Sequence, residues 1–306
     1  MKKMPKIVVI VGPTASGKTA LSLDLAEKFD GEIVNADSRQ VYRGMNIGTA
    51  KAPKDPGSKY TVGGVVHHLI DIVDPDDEFT LAHFKQDAFT AIDDILSRGK
   101  LPILVGGTGL YVQAIIDNLD IPAVEPDLQL RARLETMSAD ELAEMLKDKD
   151  AAVFARIDRH NPRRLIRALE VAMAENLENI EKDHKLPPRY EVLQIGLEVP
   201  RAELIKRIET RVDEQIKSGL VNEVKELSKK YTWSLPAMSG IGYKQIGYYL
   251  RGELSLAEAV DLIKRDTRRY AKRQMTWFRR DKRIKWVAEP AQAEPLVRQY
   301  IKKTTD

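Results

Sequence analysis

The stretch Gly12-Pro13-Thr14-Ala15-Ser16-Gly17-Lys18-Thr19 has the spacing G-x-x-x-x-G-K-[ST]. Glycines let the backbone curl so that successive N–H groups point inward at an anion, and a following helix N-terminus adds positive dipole. Lys18 supplies a compact cation to phosphate oxygens, and the Thr19 hydroxyl suits a Mg²⁺ ion. A plain glycine turn into a helix would need neither side chain, so the reading is a bound di- or triphosphate. A second candidate is Asp37, in Asp37-Ser38-Arg39-Gln40. Its carboxylate could serve as general base, as a Mg²⁺ ligand or as a helix N-cap. The third feature is charge. Lys264-Arg265 and the run Arg268 to Arg280 hold Tyr270, Trp277 and Phe278 among their cations, with only Asp266 interrupting before Asp281. A basic helix with interleaved rings suits RNA or another polyanion, with Trp277 and Phe278 expected to turn into the core.

These groups need a scaffold. Ile7 to Val11 is an unbroken β-branched run, as a buried parallel strand requires, and Ala20 to Ala26 repeats its apolar residues on a helical period. Strand, glycine loop and helix are the context the phosphate loop demands. Glu32 to Ala36 predicts a second strand, which ends at Asp37. Leu101 to Val105 predicts a third, which ends in the glycine turn Gly106-Gly107-Thr108-Gly109. In open α/β sheets ligands sit beyond the carboxyl ends of strands, so Asp37 should face the phosphate ligand and Thr108 is a further candidate contact. Glu191 to Leu197 predicts another strand, followed by a helix from Pro200 to Gly219 on which Arg207 and Arg211 share a face. Met238 to Gln245 reads as a glycine-rich loop carrying an aromatic ring and a cation. His67 and His68, being adjacent in a strand, point to opposite sides and make a poor metal pair.

Residues 121–188 have a different character. They contain no convincing strand, a capping-box pattern at Ser138-Ala139-Asp140-Glu141, and a helix start at Asn161-Pro162. They are also rich in arginine, and Arg163-Arg164 at a helix start oppose the dipole and call for an anionic partner. The expected fold is therefore α/β: a P-loop NTPase-like core with a mainly parallel sheet flanked by helices, built from 1–120 and 189–306, plus an all-helical insertion domain over 121–188.

The absence of cysteine excludes disulfides, thiolate zinc sites and a cysteine nucleophile. No apolar run approaches the ~20 residues of a membrane span, so a cytoplasmic protein with no membrane contact is expected. The net charge of +3 on 306 residues says little by itself. No strand ends in a second nucleotide-hydrolysis motif unless Asp37 serves. Phosphate-binding equipment without hydrolytic equipment, next to a basic surface, fits a transferase.

Six motifs together resemble the tRNA dimethylallyltransferase family, in that family's order and across nearly the whole chain. They are the phosphate loop, Asn35 to Gln40, Gly106 to Tyr111, Asn161 to Arg164, Gly240 to Gln245 and Tyr270 to Arg279. The zinc-finger extension of eukaryotic members is absent, so the bacterial form is the one resembled. The resemblance implies transfer of a dimethylallyl group from dimethylallyl diphosphate to the 6-amino group of the adenine just 3′ of a tRNA anticodon. Asp37 would then accept the amine proton. The charge growing on the diphosphate would be met by loop N–H groups from Thr14 to Thr19, by Lys18, by Mg²⁺ held on Thr19, and by Arg211. Gln40 and Thr108 would lie near the adenine. Ser38, Arg39, Arg131, Arg163 and Arg164 would hold the tRNA anticodon stem-loop, with Lys244 and Gln245 beside them. A monomer is expected. Two other enzymes compete: a prenyltransferase acting on free adenine nucleotides, which would not need the basic surfaces, and a kinase, which would transfer phosphate from ATP.

Overall fold

The computed structural model describes residues 4–57, 59–122, 124, 127–174 and 185–303. Strand β1 (Lys6–Val11) is buried along nearly its whole length. Its β-branched residues alternate between two apolar clusters: Ile7, Val9 and Val11 in one, Val8 and Ile10 in the other. That is the period of two expected of a strand covered on both faces. Around it form β2 (Gly31–Asn35), β3 (Thr61–Val62), β4 (Val65–His68), β5 (Leu101–Gly106), β6 (Glu191–Leu197) and β7 (Lys285–Val287). The sheet order is β3-β4-β2-β5-β1-β6-β7, and every pairing is parallel except β3 with β4.

Helix α1 (Lys18–Lys28) packs Leu21 and Leu25 onto one face of the sheet, together with α12 (Ala293–Lys302) through Ala293 and Val297. The other face is covered by α2 (Leu81–Ser97) and α3 (Gly109–Ile116). Thr80 caps α2 by accepting from the His83 N–H, and Gly99 follows it in the left-handed region that closes the helix. The expected histidine roles are structural ones. His68 pairs with Glu32 at 2.8 Å and His67 with the Val65 carbonyl.

The C-terminal part adds α8 (Arg201–Lys217), α9 (Leu220–Ser228), α10 (Tyr243–Leu250) and α11 (Leu256–Phe278). These pack with Val41, Tyr42 and Met45 into a third apolar cluster. The chain divides into two compact units, 1–118 with 187–306, and 119–186. The second holds α4 (Leu128–Leu134), α5 (Ala139–Lys149), α6 (Ala151–Phe154) and α7 (Pro162–Met173) around its own core of Leu134, Leu142, Leu146, Leu165 and Leu169. Ser138 and Glu141 form the capping box of α5, and Asn161 caps α7 with Pro162 at its first position. Residues 175–184, inside the expected insertion, lie outside the described residues.

Candidate active site

Because β1, β2 and β5 are parallel neighbours, their carboxyl ends lie on one edge. The register sets Val11 beside Gly106 and Asn35 beside Val105. The phosphate loop, Asp37 and the Gly106–Gly109 turn therefore leave the sheet side by side. The glycines are needed for this closeness. A Cβ on Gly106 would lie 2.1 Å from the Ala36 carbonyl oxygen, and one on Gly109 would lie 2.2 Å from the Trp277 ring.

The loop is tied to its neighbours by Gln274 of α11. Its Oε1 accepts from the Thr14 N–H (2.8 Å), and its Nε2 donates to the Gly107 carbonyl (2.9 Å). This corrects the expectation that every loop N–H from Thr14 to Thr19 faces the ligand. Pro13 has no N–H, Thr14 gives its own to Gln274, and Ser16 donates back to the Pro13 carbonyl at 3.2 Å. The amides of Ala15, Gly17, Lys18 and Thr19 have no backbone partner among the described residues. Ala15 lies in the left-handed region (φ 63°), and Gly17 opens α1. The Ser16 hydroxyl is the one buried side-chain polar atom without a hydrogen-bond partner among the described residues. Unpaired donors at a helix N-terminus, beside an orphaned hydroxyl, suit an oxyanion.

Beside the loop lies a cavity of about 350 Å³. Thr14, Ala15, Asp37, Ser38 and Arg39 line one part of it, and Gly48, Thr49 and Ala50 another. Arg211 and Gln215 of α8 and Thr267, Tyr270 and Arg273 of α11 add polar groups, while Ile208, Val212, Ile241 and Ile263 add an apolar wall. Lys18 donates to the Pro13 carbonyl at 2.7 Å. Burial lowers its pKa to about 8; the Asp37 carboxylate raises it, and the Arg211 guanidinium lowers it. Arg211 is itself pulled below the usual arginine range by burial. Among the described residues it forms no ion pair, since Glu209 is taken by Arg268 at 2.7 Å. A half-buried guanidinium that forms no ion pair, with the Glu214 carboxylate acting on it only from a distance, can take an anionic ligand. Arg207, one turn earlier, is exposed and paired with Glu203, so the two arginines do not act together.

Asp37 Oδ1 accepts from the backbone N–H groups of Arg39 (2.8 Å) and Gln40 (3.3 Å), which closes a turn rather than capping a helix, because no helix starts here. Oδ2 accepts no hydrogen bond among the described residues, and the residue lines the cavity, so the turn leaves one oxygen for chemistry. Ser38 also lines the cavity, and its N–H donates to Thr108 Oγ1 at 3.1 Å. Arg39 is tethered to the Pro236 carbonyl and to Ser239 Oγ.

Four expected contacts turn out to be struts. Gln40 spends its amide on the Thr49 carbonyl at 3.0 Å, and Thr108 joins its turn to Ser38. Gln245 is 3% exposed, accepts from the Gly242 N–H and donates to Asp266, so it has no surface to offer an RNA. Arg131 forms a two-pronged pair with buried Glu170, at 2.7 and 2.9 Å, and holds the helical unit together. In that unit Arg163 and Arg164 are exposed and form no ion pair among the described residues. Lys244 is exposed beside the Tyr248 ring. The basic helix α11 is partly neutralised, since Lys264 pairs with Asp213 and Arg268 with Glu209. Lys272, Arg273 and Arg280 are exposed and make no ion pair among the described residues. Phe278 is in the core and Trp277 packs on it, as expected.

Sequence reasoning missed Tyr270 and Gln274 as site residues. The visible signal was position: Gln274 lies on the otherwise apolar stripe Ile263, Ala271, Phe278 of α11.

The hydroxyl of Thr19 is exposed and uncommitted among the described residues, and no cluster of three or more acidic or histidine side chains there could cage a metal. This donor set fits Mg²⁺, which keeps several waters and is shared with phosphate oxygens. No helix among the described residues is long and apolar enough to cross a membrane.

The chain is 49% identical to tRNA dimethylallyltransferase 2 of Geotalea daltonii over 94% of this chain and 88% of that protein. It is 47% identical to the tRNA dimethylallyltransferase of Roseiflexus castenholzii over 99% of both. Among solved structures, a tRNA isopentenylpyrophosphate transferase from Bacillus halodurans matches with a TM-score of 0.71 and 38% identity, over 98% of this chain and 96% of that one. A eukaryotic dimethylallyltransferase acting on tRNA matches with a TM-score of 0.79 and 27% identity, over 97% and 79%. With the model of the IPP transferase family also matching residues 40–281, the chain belongs to that family.

Proposed function

We propose that this chain transfers a dimethylallyl group from dimethylallyl diphosphate to the exocyclic 6-amino group of the adenine 3′ to the anticodon in tRNA, releasing pyrophosphate. The observation that carries the reading is the convergence of the phosphate loop, Asp37 and unpaired Arg211 on one cavity with an apolar wall. The diphosphate sits on the free amides of Ala15 and Gly17 to Thr19, near Lys18 and Arg211. The five-carbon group lies against Ile208, Val212 and Ile263. The C–O bond to the diphosphate breaks as the N–C bond forms, and Asp37 takes the amine proton on its free oxygen. The adenine amine is a weak nucleophile, so aligning it with the donor carbon supplies much of the rate. Charge accumulating on the leaving diphosphate meets preorganised N–H groups and cations. Mg²⁺, held by Thr19, would add further positive charge there. Arg163 and Arg164 of the helical unit offer charge to tRNA phosphates, and so, in the larger unit, do Lys244 and the exposed cations of α11; the target base must leave its stack.

The test incubates the protein with Mg²⁺, dimethylallyl diphosphate and unmodified tRNA, then digests the RNA and weighs its nucleosides. An adenosine heavier by one dimethylallyl group, absent with Asp37→Ala, is the expected result. Modification of free AMP but not tRNA would assign the chain to nucleotide prenylation. Transfer of label from γ-phosphate ATP with neither product would assign it to a kinase.

A further inference from the structure

We propose that Glu223, with Tyr243 and Gln215, is a positioning set that holds residues 46–50 as a fixed wall of the cavity; this rests on the cavity being the reaction chamber. The segment Asn46–Ala50 belongs to no helix or strand, yet its backbone is almost fully claimed. Glu223 Oε2 accepts from the N–H groups of Asn46 (3.0 Å) and Ile47 (2.8 Å), and Oε1 accepts from Gly48 (3.1 Å). The Tyr243 hydroxyl donates to the same Oε1 at 2.7 Å. Gln215 Nε2 donates to the carbonyls of Ile47 (2.6 Å) and Gly48 (3.3 Å). The Tyr243 ring lies so close to the segment that a Cβ on Gly48 would fall 2.4 Å from it. Gly48, Thr49 and Ala50 are the segment's cavity-lining residues.

The chemistry of the clamp is specific. A carboxylate offers only acceptors, about four lone-pair sites, and here four donors converge on it. An amide of the same shape would turn its NH₂ toward donors. Gln215 also lies one helical turn beyond Arg211 and so on the same face of α8. The helix that presents the free guanidinium therefore also fixes the wall beside it. A wall released to move by an ångström would misalign donor and acceptor, which costs rate rather than tRNA affinity.

The test compares wild type with Glu223→Gln, Tyr243→Phe and Gln215→Leu by amide hydrogen exchange, tRNA binding and turnover on tRNA. Glu223→Gln is expected to speed exchange at Asn46, Ile47 and Gly48 and to lower kcat by roughly 10- to 100-fold, with tRNA Kd within about twofold. Glu223→Asp should restore part of the loss. Tyr243→Phe, which leaves the three N–H bonds in place, should cost only a few-fold. Wild-type kcat in Glu223→Gln, or lost kcat with unchanged exchange in the segment, would overturn the proposal. If Glu223→Gln does not fold, unaltered kcat in both Tyr243→Phe and Gln215→Leu overturns it. A wild type that modifies no tRNA would refute the functional reading instead, while the exchange data still decide whether the clamp exists.

Discussion

Lys18 should make donor binding fall with pH in a way that a permanently charged side chain would not. In the free protein its pKa is lowered to about 8, with burial as the largest cause. A bound diphosphate brings negative charge to the ammonium and restores the value toward that of an ordinary lysine. Binding therefore favours the protonated form, which is about nine-tenths populated at pH 7 and about one-tenth at pH 9. Affinity should drop about tenfold between these values, or about 1.4 kcal/mol. The assay is calorimetric titration with an unreactive dimethylallyl diphosphate analogue at pH 7, 8 and 9, where the terminal phosphate is largely ionised. Lys18→Arg keeps a full charge across this range and should give a nearly flat profile. Asp37→Asn removes the influence that raises the pKa and should move the midpoint down, whereas Arg211→Gln should move it up. The folded value lies below the unfolded one, so the ammonium's cost to the ligand-free fold fades as pH rises through about 8, and its contribution to stability improves over that window. A wild-type profile as flat as that of Lys18→Arg would refute the reasoning.

Asp37→Ala should lower kcat by about 10²- to 10⁴-fold and, with its turn hydrogen bonds lost, stability by about 1 kcal/mol; Asp37→Asn should lose the rate but keep most of the turn, as urea unfolding would show. Gln274→Leu leaves the Thr14 N–H and the Gly107 carbonyl without partners, so unfolding free energy should fall by about 1–3 kcal/mol and the donor KM should rise in steady-state assays. Arg163→Gln with Arg164→Gln should weaken tRNA binding and reduce the slope of log K against log salt by about two, leaving donor KM unchanged. Arg131→Leu should act on stability, leaving buried Glu170 with only the longer Arg167 pair at 3.5 Å and lowering the thermal midpoint of the helical unit.

Sequence alone determined the parts that depend on local pattern. The β-branched run of β1, the glycine spacing after it and the helical period of α1 are short-range signals, and each specifies its element wherever the chain goes next. The caps at Ser138 and Asn161 were legible for the same reason. So was the convergence of the phosphate loop, Asp37 and the Gly106 turn, because parallel strands place their carboxyl ends on one edge.

What a polar side chain does after its element is placed depends on neighbours remote in sequence, and only the tertiary structure decided that. Arg131 and Arg163 are alike in sequence, yet one meets Glu170 across 39 positions and the other meets no carboxylate among the described residues. Gln245 and Gln274 lie within motifs of the same family, yet one braces α10 against α11 and the other ties the phosphate loop to the β5 turn. Glu223 showed no pattern of its own, and its role follows from the arrival of Asn46 to Gly48 at its carboxylate. Local periodicity sets where backbone goes, but a buried donor or acceptor must be matched by whichever group the fold brings to it.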